Sequence, residues 1–158
     1  MSTTFKPLYG TSNQSITITL DALANNGQRC CLVVDNSTNL FEDALVGLKI
    51  VAPASGTSAT GAVNVYAYGT ADGGTTYGDT ATGTDAGVTL TSPPNLRLIG
   101  TVNVVANSTT YNGSLLSVAT AFDGVLPQKW GVVVENKTGG TLGAGNAAWY
   151  QGYNGQGV

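Results

Sequence analysis

The chain has 158 residues, with six Lys+Arg, nine Asp+Glu, no histidine, a formal net charge of −3, and 22 Gly and 22 Thr. Without imidazole it lacks the side chain that titrates nearest neutrality and ligates metals most often, which excludes Ser-His-Asp, Cys-His and histidine-zinc chemistry. No basic cluster supplies the counterion release that drives nucleic-acid binding, and no apolar run approaches the roughly 18 residues of a membrane span.

The expectation is a binding or structural protein: not an enzyme, with no cofactor and with neither nucleic acid nor membrane as partner. Charged residues are 9% of the chain, against about 25% in an ordinary domain. So sparse a charge predicts that much of the surface lies against other protein. No basic segment followed by an apolar one opens the sequence, so the reading is a soluble chain without an export leader.

In chain order, residues 1–14 read as an N-terminal arm carrying Phe5, Pro7, Leu8 and Tyr9. The segment SITITL (15–20) alternates Ile16, Ile18 and Leu20 with Thr17 and Thr19, the pattern of a half-buried strand. Further strands are predicted at 29–35, 44–52, 61–69, 96–106, 113–119, 130–136 and 147–153. Residues 154–158 are too Gly-rich to predict order and read as a flexible tail. Cys30 and Cys31 are adjacent, so on a strand they point to opposite faces. They read as small buried hydrophobes rather than a disulfide.

Eight short strands without intervening helices predict an all-β fold, a two-sheet antiparallel β-sandwich with jelly-roll topology spanning residues 15–153. That topology makes the second and seventh strands neighbours. Those two share an echo, VVDNST (33–38) and VVENKT (133–138), and the strand ending at Asp35 is predicted to pair antiparallel with the one ending at Glu135. In each copy the Asn suits a turn just past a buried strand.

The connection 70–95 is long, with five Gly and three Asp and Pro93-Pro94 at its close, and is a candidate exposed contact loop. Asp72, Asp79 and Asp85 there are either solvated loop acids or calcium ligands. Glu42, Asp43, Asp123 and Glu135 are the acids from which a glycosidase pair would have to come, but nothing in the sequence brings two together. Tyr66 and Tyr68 share one strand face, and with Trp130, Trp149, Tyr150 and Tyr153 they offer either a sugar platform or core and interface packing.

Four segments, SITITLDALANNGQR (15–29), VVDNSTNLFEDALVGLKI (33–50), VYAYGTADGG (65–74) and FDGVLPQKWGVVVENKTGGTL (122–142), resemble the small jelly-roll structural proteins that decorate or cement the heads of tailed bacteriophages. The resemblance implies a homotrimer on the capsid exterior, assembled in the host bacterial cytoplasm, that bridges neighbouring subunits of the major capsid protein. Contact residues expected on this basis are Phe5, Leu8 and Tyr9 of the arm, Asp72, Tyr77, Asp79 and Asp85 of the long loop, and Phe122, Leu126 and Trp130. The alternative is a carbohydrate- or receptor-binding module associated with a tail or head fibre.

Overall fold

Strand side chains alternate between faces, so a two-sheet protein is organised by which faces meet. The computed structural model of the chain describes residues 4–113 and 115–157. Its strands are β1 (Phe5–Tyr9), β2 (Gln14–Ser15), β3 (Gln28–Cys30), β4 (Val34–Asp35), β5 (Asp43–Val51), β6 (Ala62–Thr70), β7 (Ala86–Val88), β8 (Arg97–Asn103), β9 (Thr110–Asn112), β10 (Leu116–Ser117), β11 (Lys129–Lys137) and β12 (Ala147–Gly157). A 3₁₀ turn, Ala119–Phe122, follows β10.

One sheet has the order β1-β12-β5-β10, with β2 also on β12 and β9 on β5; the other runs β7-β3-β11-β6-β8, with β4 on β11. β3 and β4 are two pieces of the strand predicted at 29–35; β10 is the paired part of the one predicted at 113–119, and β9, at Thr110–Asn112, precedes it outside the predicted bounds. Counted that way, the first sheet sets the first, eighth, third and sixth predicted strands side by side, and the second sheet the second, seventh, fourth and fifth. This is the jelly roll. The predicted pairing holds, with Cys30 opposite Val133 and Val34 opposite Trp130, both antiparallel.

The core lies between the sheets. Trp130 of β11 meets Tyr150 of β12 edge-on, with centroids 5.2 Å apart. Val132 and Val134 lie on the same side of β11 as Trp130, and Val46, Leu48 and Ile50 of β5 are likewise fully buried. The two echoed asparagines are both buried turn-formers. Asn36 bonds the backbone of Phe41 through both side-chain atoms. Asn136 donates to the carbonyls of Leu23 and Gly140 and accepts from Thr138.

Several predicted boundaries change, the largest changes being near the two termini. The strand expected at 15–20 pairs in a ladder only at Gln14–Ser15. Beyond it the chain crosses from one sheet to the other, Ile16 N–H donating to Ala148 and Thr17 accepting from Leu32 N–H. The Ile/Thr alternation survives as burial, since a period of two reports sidedness and not the ladder partner. The arm proposed for 1–14 contains an edge strand, β1, paired with β12 over five residues. The tail proposed as flexible from 154 is strand to Gly157, because β1 binds its backbone despite the glycines. Residues 1–3 and 158 lie outside the described residues.

The long connection covers part of the second sheet while much of it stays exposed. It contains β7, which extends the second sheet beside β3, and Tyr77 packs edge-on against Tyr68 at 5.3 Å. Leu90 and Leu96 are buried, and Leu90 N–H donates to Gln28 Oε1 at 2.6 Å. Cys30 and Val133, on the outer side of their sheet, are therefore fully buried. The continuous run GVVVEN of β11 reflects burial on both faces.

Candidate functional site

The first sheet has no such cover, and its β1-β12 edge leads to an end of the sandwich with a distinct composition. β5 begins at Asp43, opposite Tyr153 of β12. From Asn154 onward β12 pairs with β1 in a two-stranded ribbon, with Phe5 opposite Gly157. Such a ribbon is marginal in water by itself. The loops preceding β5 and β11 meet at the base of the ribbon, where Glu42 N–H donates to Tyr153 O and Leu126 N–H to Glu42 O.

Nine large hydrophobic side chains are exposed among the described residues, and five of them, Phe5, Leu8, Tyr9, Leu40 and Val125, belong to this end. Phe5, Leu40 and Val125 are 76%, 68% and 70% accessible. Tyr9 stacks obliquely on Tyr153, 5.9 Å between centroids. Beside them a groove of about 410 Å³ is lined by Gly69, Thr70, Ala71, Phe122, Val125 and Pro127. Phe122 and Pro127 rest on Gly69, where a Cβ would come within 3.1 Å of the Phe122 ring and 2.7 Å of Pro127. Loops at the opposite end (53–60 and 138–146) are mostly Gly, Ser, Thr, Ala and Asn.

Pro7 lies mid-way along β1, opposite Gly155. Proline has no N–H to offer an incoming strand, so the outer edge is blunted against ladder extension.

The structure sorts the expected contact residues. Phe5, Leu8 and Tyr9 are exposed on β1 and Phe122 is half-buried in the loop before β11; Leu40 and Val125 are exposed as well, and a lone apolar residue in a loop carries no periodic signal in the sequence. Leu126 and Trp130 are buried, Trp130 in the inter-sheet core. Tyr77 is half-buried against Tyr68. Asp72 is exposed but closes a local turn, accepting from Thr70 Oγ1 and from the N–H groups of Thr75 and Thr76; these bonds hold its carboxyl well below the usual range. Asp79 accepts from Thr91 and Asn95 and pins the far part of the loop. Asp85 accepts from Thr19 N–H and Oγ1 and from Arg29 Nε at 2.6 Å. Partial burial works against its charge, but these donors bring its pKa to about 2.

The three loop acids thus serve separate local or cross-chain anchors. No cluster of three metal-ligating side chains occurs among the described residues. The other acids are engaged apart as well: Asp43 by Ser117 and by backbone N–H groups, Asp123 by Arg97, Glu135 by Gln28, Asn64 and Tyr66. The Tyr66/Tyr68 platform does not form, since Tyr66 is tied to Glu135 and Tyr68 is buried with its hydroxyl on Cys31 O at 2.8 Å. Trp149 and Tyr150 point to opposite faces, Tyr150 into the core and Trp149 outward.

No protein-family model matches this sequence, and no match was found among curated proteins or among solved structures.

Proposed function

We propose that this protein is a structural subunit that works by docking, and specifically a bacteriophage virion protein of the decoration type, seated through its apolar end on the major capsid protein. The observation that carries docking is the gathering of Phe5, Leu8, Tyr9, Leu40 and Val125 at one end of a sandwich whose charge is otherwise sparse. Exposed apolar groups gathered in this way mark interaction surfaces. The phage assignment is supported by the sequence resemblance and is compatible with the jelly roll.

In this reading three copies associate and bridge adjacent capsid subunits. Joining several weak contacts in one oligomer raises overall avidity by about a hundredfold or more. Binding the assembled shell and not its free subunits stabilises the shell by mass action.

The test is co-sedimentation of purified protein with phage heads lacking it, comparing wild type with a Phe5→Ser/Tyr9→Ser/Val125→Ser variant. Wild type is expected in the head fraction, the variant in the supernatant with an unchanged circular dichroism spectrum, and sedimentation equilibrium to give three times the 16.0 kDa chain mass. Absence of the chain from purified virions would end the phage assignment, and equal binding by the variant would end the role of the apolar end.

A further inference from the structure

Away from the apolar end, we infer that the groove beside Trp149 binds the pyranose ring of an uncharged saccharide. Tyr150 faces the core, so its neighbour Trp149 stands on the outer, uncovered face of the first sheet, directly across from Gly47. A Cβ at Gly47 would fall 2.6 Å from both Cε2 and Nε1 of the indole and 2.9 Å from Cζ2. The ring therefore lies across the glycine. Its underside is held by the β5 backbone, and glycine at 47 is what lets it lie there.

The indole borders a groove of about 440 Å³ with Asn13, Ser15, Ala147 and Ala148. A second groove, about 310 Å³, shares Ser15, Ala147 and Ala148 and continues past Thr17 and Thr19 to Asp85 and Asn146. The two adjoin through these three shared residues. Asn13, Ser15 and Thr17 are exposed along them, and among the described residues their side chains have no hydrogen-bond partner. Asp85, the acid lining the second groove, is already paired with Arg29 at 2.6 Å.

These features select a ligand class. An anion finds no unpaired cation among the lining residues. A wholly apolar ligand would cover the Asn13 amide and two hydroxyls without replacing their water, at a cost for each group. A pyranose satisfies both demands: its axial C–H face carries partial positive charge to meet the negative π-face of the indole, and its rim of hydroxyls meets Asn13, Ser15 and Thr17.

The experiment is saturation-transfer-difference NMR on the full chain with methyl β-D-glucopyranoside, methyl β-D-galactopyranoside, methyl α-D-mannopyranoside and N-acetyl-D-glucosamine, each up to about 50 mM, above the millimolar constants of weak sites. Saturation is expected on ring C–H protons of at least one sugar. Trp149→Phe should retain it, Trp149→Ala should weaken binding about tenfold, and Ser15→Ala, an exposed change that folding tolerates, should weaken it several-fold. The Phe5→Ser/Tyr9→Ser/Val125→Ser variant should bind as wild type, which separates this site from capsid docking. No saturation with any of the four sugars, or wild-type binding by both Trp149→Ala and Ser15→Ala, would overturn the assignment.

Discussion

Gly131 offers the sharpest test of how the covered sheet is built. Tyr68 reaches across β11 at this position, and a Cβ at Gly131 would stand 2.6 Å from Tyr68 Cε1 and closer still to Cζ and Oη. Carbon atoms pack comfortably at about 3.5–4.0 Å, so Gly131→Ala must push the ring aside by roughly 1 Å. The ring has nowhere to go: it is buried, edge-on to Tyr77, and its hydroxyl donates to Cys31 O. Overpacking costs about 1–3 kcal/mol and a lost hydrogen bond about 0.5–1.5, giving a destabilisation of about 2–4 kcal/mol. For a chain of this length that lowers the melting temperature by about 5–15 °C.

Urea unfolding followed by circular dichroism measures the effect as a shift in midpoint at constant slope. The decisive comparison is a double-mutant cycle with Tyr68→Ala, which by itself should cost about 3–5 kcal/mol, as large aromatic truncations do. Once the ring is gone the added methyl has room, so Gly131→Ala in that background should cost less than about 1 kcal/mol. Equal costs in the two backgrounds, or an unchanged midpoint for Gly131→Ala alone, would refute the claim that Tyr68 is locked over this glycine.

Two further outcomes are expected. The Asp85 pKa is lowered in the folded protein to about 2 from the ordinary aspartate value of 3.8, so its contribution is present above the unfolded value and is lost as pH falls through the folded one. Discounted for solvent access, it is about 1 kcal/mol; the difference in unfolding free energy between wild type and Asp85→Asn should be largest at pH 7 and shrink as pH falls from about 4 through 2, and a gap undiminished at pH 2 contradicts the linkage. Cys30 and Cys31 are both free and fully buried, and burial foremost pushes the Cys31 thiol up to about 12. A thiol-specific chromogenic reagent at neutral pH should find no reactive cysteine in the native protein and two in denaturant, whereas prompt native labelling would show that the cover over β3 opens readily.

The all-β class, the strand pairing and the turn roles of Asn36 and Asn136 were legible because they rest on local regularities. Ile16 and Leu20 alternate with threonines, and VVDNST and VVENKT each end an apolar run with a turn-forming residue. The exposure of Phe5, Leu8 and Tyr9 accords with reading the segment before the first clear strand as an arm. Trp130 and Leu126 misled because apolar character is the same signal in a core as in an interface. Phe122 and Leu126 are four residues apart, yet one is half-buried beside an open groove and the other is buried.

By itself, then, the sequence determined which side chains alternate, which segments turn, and that the chain carries neither a histidine nor a basic cluster. Tertiary structure alone decided that the 70–95 connection folds back to bury Cys30 and Val133, that the terminal glycines become a ribbon with β1, and that Leu40 and Val125 join Phe5 and Tyr9 at one end. It also decided that Trp149 lies over Gly47. The physical reason is common to all four. Each depends on a contact between residues far apart in the chain, and only the closed sheets bring those residues together; nothing in the local spacing of side chains encodes which distant partner will cover them.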